Sequence, residues 1–122
     1  MYEKFVEIAY KLKDLPQSGF KHITFIVRKN KILSIGWNSR KTHPDAMRIG
    51  YKYSAIHSEL SAFQNLSYSH KQIIHKCSVI NIRINNIGQI RMSKPCSFCI
   101  PWLVALNPRN IYYSTNDGFV KL

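Results

Sequence analysis

His57 and Cys96 stand 39 positions apart, and each belongs to a short piece at the head of an apolar stretch. The first piece is His57-Ser58-Glu59, followed by Leu60, Phe63 and Leu66. The second is Pro95-Cys96-Ser97-Phe98-Cys99, followed by Leu103 and Leu106. An interval of that length holds one helix, one strand and their loops. The two helix starts can therefore lie side by side at one end of a sheet, which directs the chain toward helices packed on strands.

The remaining segments agree. Phe5, Ile8, Ala9 and Leu12 recur at helical spacing within residues 1–14, one face of an amphipathic helix that Pro16 and Gly19 end. His22–Val27 and Lys31–Trp37 read as two strands joined by the polar turn Arg28-Lys29-Asn30. Asn38 to Tyr53 reads as a loop, and Ser54 as the cap of a helix starting near Ala55 with an apolar stripe of Ile56, Leu60, Phe63 and Leu66. Tyr68 to Lys76 reads as a polar connection. Ser78–Ile84 alternates at Ile80, Ile82 and Ile84 and is a strand, with Gln89 to Met92 returning as a short extended segment. Cys96 to Leu106 reads as a helix stopped by Asn107-Pro108, and Asn110–Thr115 as a strand. Asn116-Asp117-Gly118 is a tight-turn signal, so Phe119 to Leu122 pairs back antiparallel. Neither repeats nor linkers interrupt the 122 residues, which read as one domain, residues 1–122.

The two pieces carry residue types suited to metal chemistry. Cys96 and Cys99 at i and i+3 can point to one side of a helix start. The positive end of a helix lowers thiol pKa values and yields thiolates. Two thiolates with one imidazole favour zinc, which makes His57 the third ligand. Three protein ligands leave a place for water, as in catalytic zinc sites, and zinc brings the pKa of that water to roughly 7. Glu59 is not needed as a ligand and is placed to move protons. A closed structural site is the alternative, with Cys77, His70, His75 or His43 as a fourth ligand. It leaves Glu59 and Pro95 unexplained.

Taken together, His57-Ser58-Glu59 and Pro95-Cys96-Ser97-Phe98-Cys99 resemble the zinc signature of the cytidine deaminase superfamily. The resemblance runs from the first helix to the strand at Ile111. It implies a three-layer α/β/α sandwich with a central mixed sheet of about five strands. It also implies zinc on His57, Cys96 and Cys99, with Glu59 as proton shuttle. Attack would fall on C4 of cytosine or C6 of adenine. Gly36-Trp37-Asn38 resembles the end of the family's second strand, which puts Asn38 at the substrate sugar or base. Ser58 and Pro95 are placed beside the substrate with it, Ser58 standing where Ala is common. An antiparallel last strand is similar to the deaminases of pyrimidine nucleosides. Relatives are often oligomers, so a homo-oligomer is an expectation of the same kind.

Composition bears on the substrate. Lys and Arg number 18 against six Asp and Glu, a formal charge of +12. No acidic residue lies between Glu59 and Asp117, an interval that includes Lys71, Lys76, Arg83, Arg91, Lys94 and Arg109. Such a balance attracts phosphorylated or polyanionic ligands, or serves solubility as a solvated surface. Arg40, Lys41, His43, Arg48 and Lys52, interleaved with Tyr51 and Tyr53, suit phosphates and stacked bases. Trp37, Phe98, Trp102, Tyr112 and Tyr113 are candidate pocket walls, or simply packing residues. The expected substrate is a cytosine nucleoside or nucleotide, with single-stranded DNA or RNA as the second choice and a non-catalytic zinc-stabilised nucleic-acid-binding module as the third. No apolar run reaches the about 18 residues of a membrane span, and no signal-peptide pattern opens the chain. Three cysteines suit a reducing compartment, so a cytoplasmic or nuclear setting is expected.

Overall fold

The computed structural model describes residues 2–14, 21–38 and 57–122. Along the chain run α1 (Glu3–Lys11), β1 (Lys21–Arg28), β2 (Lys31–Trp37), α2 (Ser58–Gln64), α3 (Tyr68–Gln72), a 3-10 turn (Ile74–Lys76) and β3 (Ser78–Ile84). Then come β4 (Ile90–Arg91), α4 (Cys99–Leu106), β5 (Asn110–Thr115) and β6 (Gly118–Lys121). The fold is α/β, with a mixed six-stranded sheet in the order β2-β1-β3-β5-β6, and β4 pairing β3. β3 and β5 are parallel and the other pairs antiparallel. The sixth strand beyond the expected five is the two-residue β4. The last strand is antiparallel, as its tight turn requires.

Alternation along the strands sorts the core into two layers. Ile23, Phe25 and Val27 of β1, with Ile80 and Ile82 of β3, pack on Phe5 and Ala9 of α1. Ile26, Val79 and Ile111 face the other way, onto Ala62 and Leu66 and onto Cys99 and Leu103 of α4. Helices therefore cover both faces. On the second face the strands change character along their length. Ile26 and Val79 are apolar, whereas Thr24 and Asn81, directly paired across β1 and β3, are polar and fully buried.

Helix α2 lies close against β2. A Cβ on Gly36 would fall 2.1 Å from Ala62 N and 2.6 Å from Ser58 O, so only glycine admits the helix backbone there. Ser34 Oγ donates to the Ala62 carbonyl and fastens the same contact. At the far side, Ser114 joins three strands. Its hydroxyl donates to Arg91 O and accepts from Arg83 N–H, while its carbonyl accepts from Ser93 N–H. That residue seats the segment leading into Pro95 and Cys96.

Two segments differ from the sequence reading. Tyr68 to Lys76 is not a plain connection but α3 and a 3-10 turn. The Ser67 hydroxyl caps α3 by accepting from His70 N–H, yet the helix buries none of its own residues, so no apolar stripe announces it. The helix expected from Cys96 begins at Cys99. The Cys96 carbonyl nevertheless accepts from both Cys99 N–H and Ile100 N–H, which ties Cys96 to the first turn of α4. Ser54, Ala55, Ile56 and most of the expected basic loop lie outside the described residues. No helix among the described residues is long and apolar enough to cross a membrane.

Candidate metal centre

The starts of α2 and α4 meet on the second face of the sheet. His57, the residue preceding α2, brings Nδ1 to 3.5 Å from Cys96 Sγ and 3.5 Å from Cys99 Sγ. The three ligand atoms lie within 4.8 Å of one another, a group able to hold a metal ion. Cys77, His70 and His75 are not part of that group. Cys77 is buried at the head of β3, where its thiol lies 3.4 Å from Ile73 O. His43 lies outside the described residues.

The electrostatics suit a cation. The Cys96 thiol is pulled down to about 4, first by its hydrogen bond with the Cys99 side chain. The His57 ring and the N–H groups of Cys99 and Phe98 add to this, against the effect of burial. His57 is held above the ordinary histidine range, chiefly by its hydrogen bond to Cys96 and also by the charges of Glu59 and Cys96, with burial opposing. Those directions describe a thiolate balanced by an imidazolium proton. A metal ligand must be neutral imidazole, so a bound cation takes over the proton's role and releases it.

Beside the group stands Glu59, which is buried at 6% exposure. Its Oε1 accepts from Ser58 Oγ at 3.0 Å and from Asn81 Nδ2 at 2.9 Å. Thr24 Oγ1 lies 2.8 Å from Ser58 Oγ and 2.6 Å from Asn81 Oδ1. Thr24, Ser58, Glu59 and Asn81 thus form a closed ring of four side chains from β1, α2 and β3. The two hydroxyls and the amide supply one hydrogen each to its four links.

The sequence-derived residues fall out as follows. His57, Cys96, Cys99 and Glu59 come together. Ser58 is 1% exposed and turns its hydroxyl into the ring. Pro95 is buried just before Cys96. Asn38 follows β2 and accepts the His22 N–H on Oδ1 at 3.0 Å, closing the strand pair. Trp37 and Tyr112 pack in the α1 layer, on the other face. Trp102 meets Phe63 edge-on at 5.7 Å. Phe98 is 42% exposed beside the cysteines.

Sequence reasoning missed Thr24, Asn81, His22 and Ser93. His22 Nδ1 lies 3.0 Å from the buried Ser93 Oγ, linking β1 to the segment that carries Cys96. Burial, and then the charges of Arg83 and His57, push His22 down to about 4. The available signal was a polar residue at an inward position of a strand rich in Ile and Val. No family model matches the chain, and no curated protein matches it.

Proposed function

We propose that the chain is a zinc-dependent hydrolytic deaminase that converts a cytosine-type base, in a nucleoside or nucleotide, to its uracil form with release of ammonia. The observation that carries this is the meeting of His57 Nδ1 with two cysteine sulfurs beside a buried, hydrogen-bonded carboxylate. The spacing suits zinc. With Zn–S about 2.3 Å and Zn–N about 2.0 Å, tetrahedral geometry sets nitrogen and sulfur about 3.5 Å apart, as they stand here at 3.5 Å. When bound, zinc supplies a Lewis acid and lowers the pKa of a water in the place the three ligands leave open. Glu59 moves the protons: from the attacking water, to the ring nitrogen, and to the amine that leaves as ammonia. One C–O bond forms and one C–N bond breaks, with no change of oxidation state. The ring holds the carboxyl by one oxygen, which accepts from Ser58 and Asn81.

The test is zinc analysis joined to an activity screen over cytidine, its nucleotides and single-stranded oligonucleotides, with Glu59→Ala as the control. Zinc near one per chain with product from the native protein alone supports the enzyme. A zinc-loaded native protein inert on every substrate would leave a zinc-stabilised binding module.

One observation favours a polynucleotide over a free nucleotide. Arg28, Lys29, Lys76 and Arg109 line a cavity of about 190 Å³ that has no acidic residue in its wall. It sits on the α1 face of the sheet, opposite the metal group, at the end of β1 and β3 remote from Thr24 and Asn81. Only a polynucleotide that passes around the sheet would place phosphates at both. Product from mononucleotides but none from oligonucleotides would rule this second reading out.

A further inference from the structure

We infer that Asn81 is a positioning residue for Glu59, with Thr24 setting the orientation of its amide; this rests on the deaminase reading above. Both residues are buried, at 1% and 0% exposure, next to the apolar pair Ile26 and Val79 on the same face of the sheet. Burying an amide and a hydroxyl is costly unless each is hydrogen-bonded, and an aliphatic pair would fill the same space without that requirement. The seating of α2 does not explain them. Gly36 and the Ser34–Ala62 hydrogen bond already fix the helix backbone against β2.

What the pair reaches is the Glu59 side chain itself. Asn81 Nδ2 holds Oε1 at 2.9 Å and leaves Oε2 outside the ring. A glutamate has three side-chain torsions to lose, and a bond at one oxygen fixes the direction in which the other is presented. The amide must face the right way for this. Thr24 Oγ1, 2.6 Å from Asn81 Oδ1, can donate to that oxygen and so leaves Nδ2 for the carboxylate. Turned round, Asn81 would present its carbonyl oxygen to Glu59, and the two acceptors would repel. Thr24 and Asn81 are direct partners across β1 and β3, so the backbone register itself enforces their pairing.

The experiment compares the native 122-residue chain with Asn81→Ala, Thr24→Val and Thr24→Ser, each loaded with zinc to the same stoichiometry. On whichever substrate of the screen the native protein deaminates, Asn81→Ala lowers kcat tenfold or more while KM stays within about twofold, a split that mispositioning of a catalytic group produces. Thr24→Val, matched in volume, falls in the same direction, and Thr24→Ser restores most of the rate. Should Asn81→Ala fail to fold, the two Thr24 variants decide. A second readout needs no turnover: in zinc-free protein, the side-chain amide resonances of Asn81 shift in Glu59→Gln. Native kcat in both Asn81→Ala and Thr24→Val at equal zinc content, or an Asn81 amide unmoved by Glu59→Gln, would overturn the inference. A native protein that binds zinc and deaminates nothing removes the deaminase reading, and this inference with it. An active native protein with indifferent variants removes the inference alone.

Discussion

Replacing Gly36 by alanine tests the link between the sheet and the metal group. The added Cβ would sit 2.1 Å from Ala62 N, 2.6 Å from Ala62 Cα and 2.6 Å from Ser58 O, all backbone atoms. None can swing aside as a side-chain tip does, and ordinary contact begins at about 3.4 Å, so α2 must move by roughly 1 Å. Overpacking of this kind costs typically about 1–3 kcal/mol, and the rigidity of the opposing backbone puts this case at the upper end. For a domain of this size, about 3 kcal/mol lowers Tm by about 10 °C. The displacement also carries His57 and Glu59 with it, because they stand at the start of the same helix. Loss of ligand orientation typically costs about 10–100-fold in metal affinity. Zinc competition against a chromophoric chelator and thermal unfolding of the zinc-free protein measure the two effects separately. A Gly36→Ala protein with native Tm and native zinc affinity would show that α2 is not held where its backbone lies.

Further outcomes follow from the same geometry. His57→Ala, Cys96→Ser and Cys99→Ser each lose zinc on dialysis, whereas Glu59→Gln keeps full metal content and loses activity; metal analysis beside the activity screen checks the contrast. Zinc affinity falls with pH because protons compete for His57 and for the thiolates. The His57 pKa is raised, so the fall begins above the ordinary histidine range and reaches at least about tenfold per pH unit below it; chelator competition between pH 8 and 5 measures the slope. His22 titrates at about 4 folded against 6.5 unfolded. The unfolded chain therefore binds the extra proton between those values, and stability is lost as pH falls through that window. The contribution is about 2 kcal/mol between pH 7 and 5, seen as a smaller drop in urea midpoint for zinc-free His22→Gln than for the native chain.

Much of the fold was legible because its signals are local. Lys31–Trp37, Ser78–Ile84 and Asn110–Thr115 occur as strands at the bounds their β-rich composition gives, and the tight turn before Gly118 made an antiparallel end the natural completion. The metal group was legible because its residue types are rare and sit at helix starts. The carboxylate's support was not. Alternation marks Asn81 as opposite in face to Ile80 and Ile82, but nothing local says that Thr24 lies across from it; strand register is a long-range fact. Helix α3 escaped notice for the converse reason, since capping by Ser67 leaves no periodic stripe. Trp37 and Tyr112 were candidate pocket walls only until the register assigned them to the α1 layer.

Ser114 has a consequence for the order in which the protein matures. Two of its three hydrogen bonds, with Arg91 and Ser93, anchor the segment that leads to the cysteines, yet it follows them in the chain. During synthesis both thiols emerge before the strand that seats them exists. Assembly of His57, Cys96 and Cys99 in their final geometry is therefore a late step, completed only after the closing hairpin has docked.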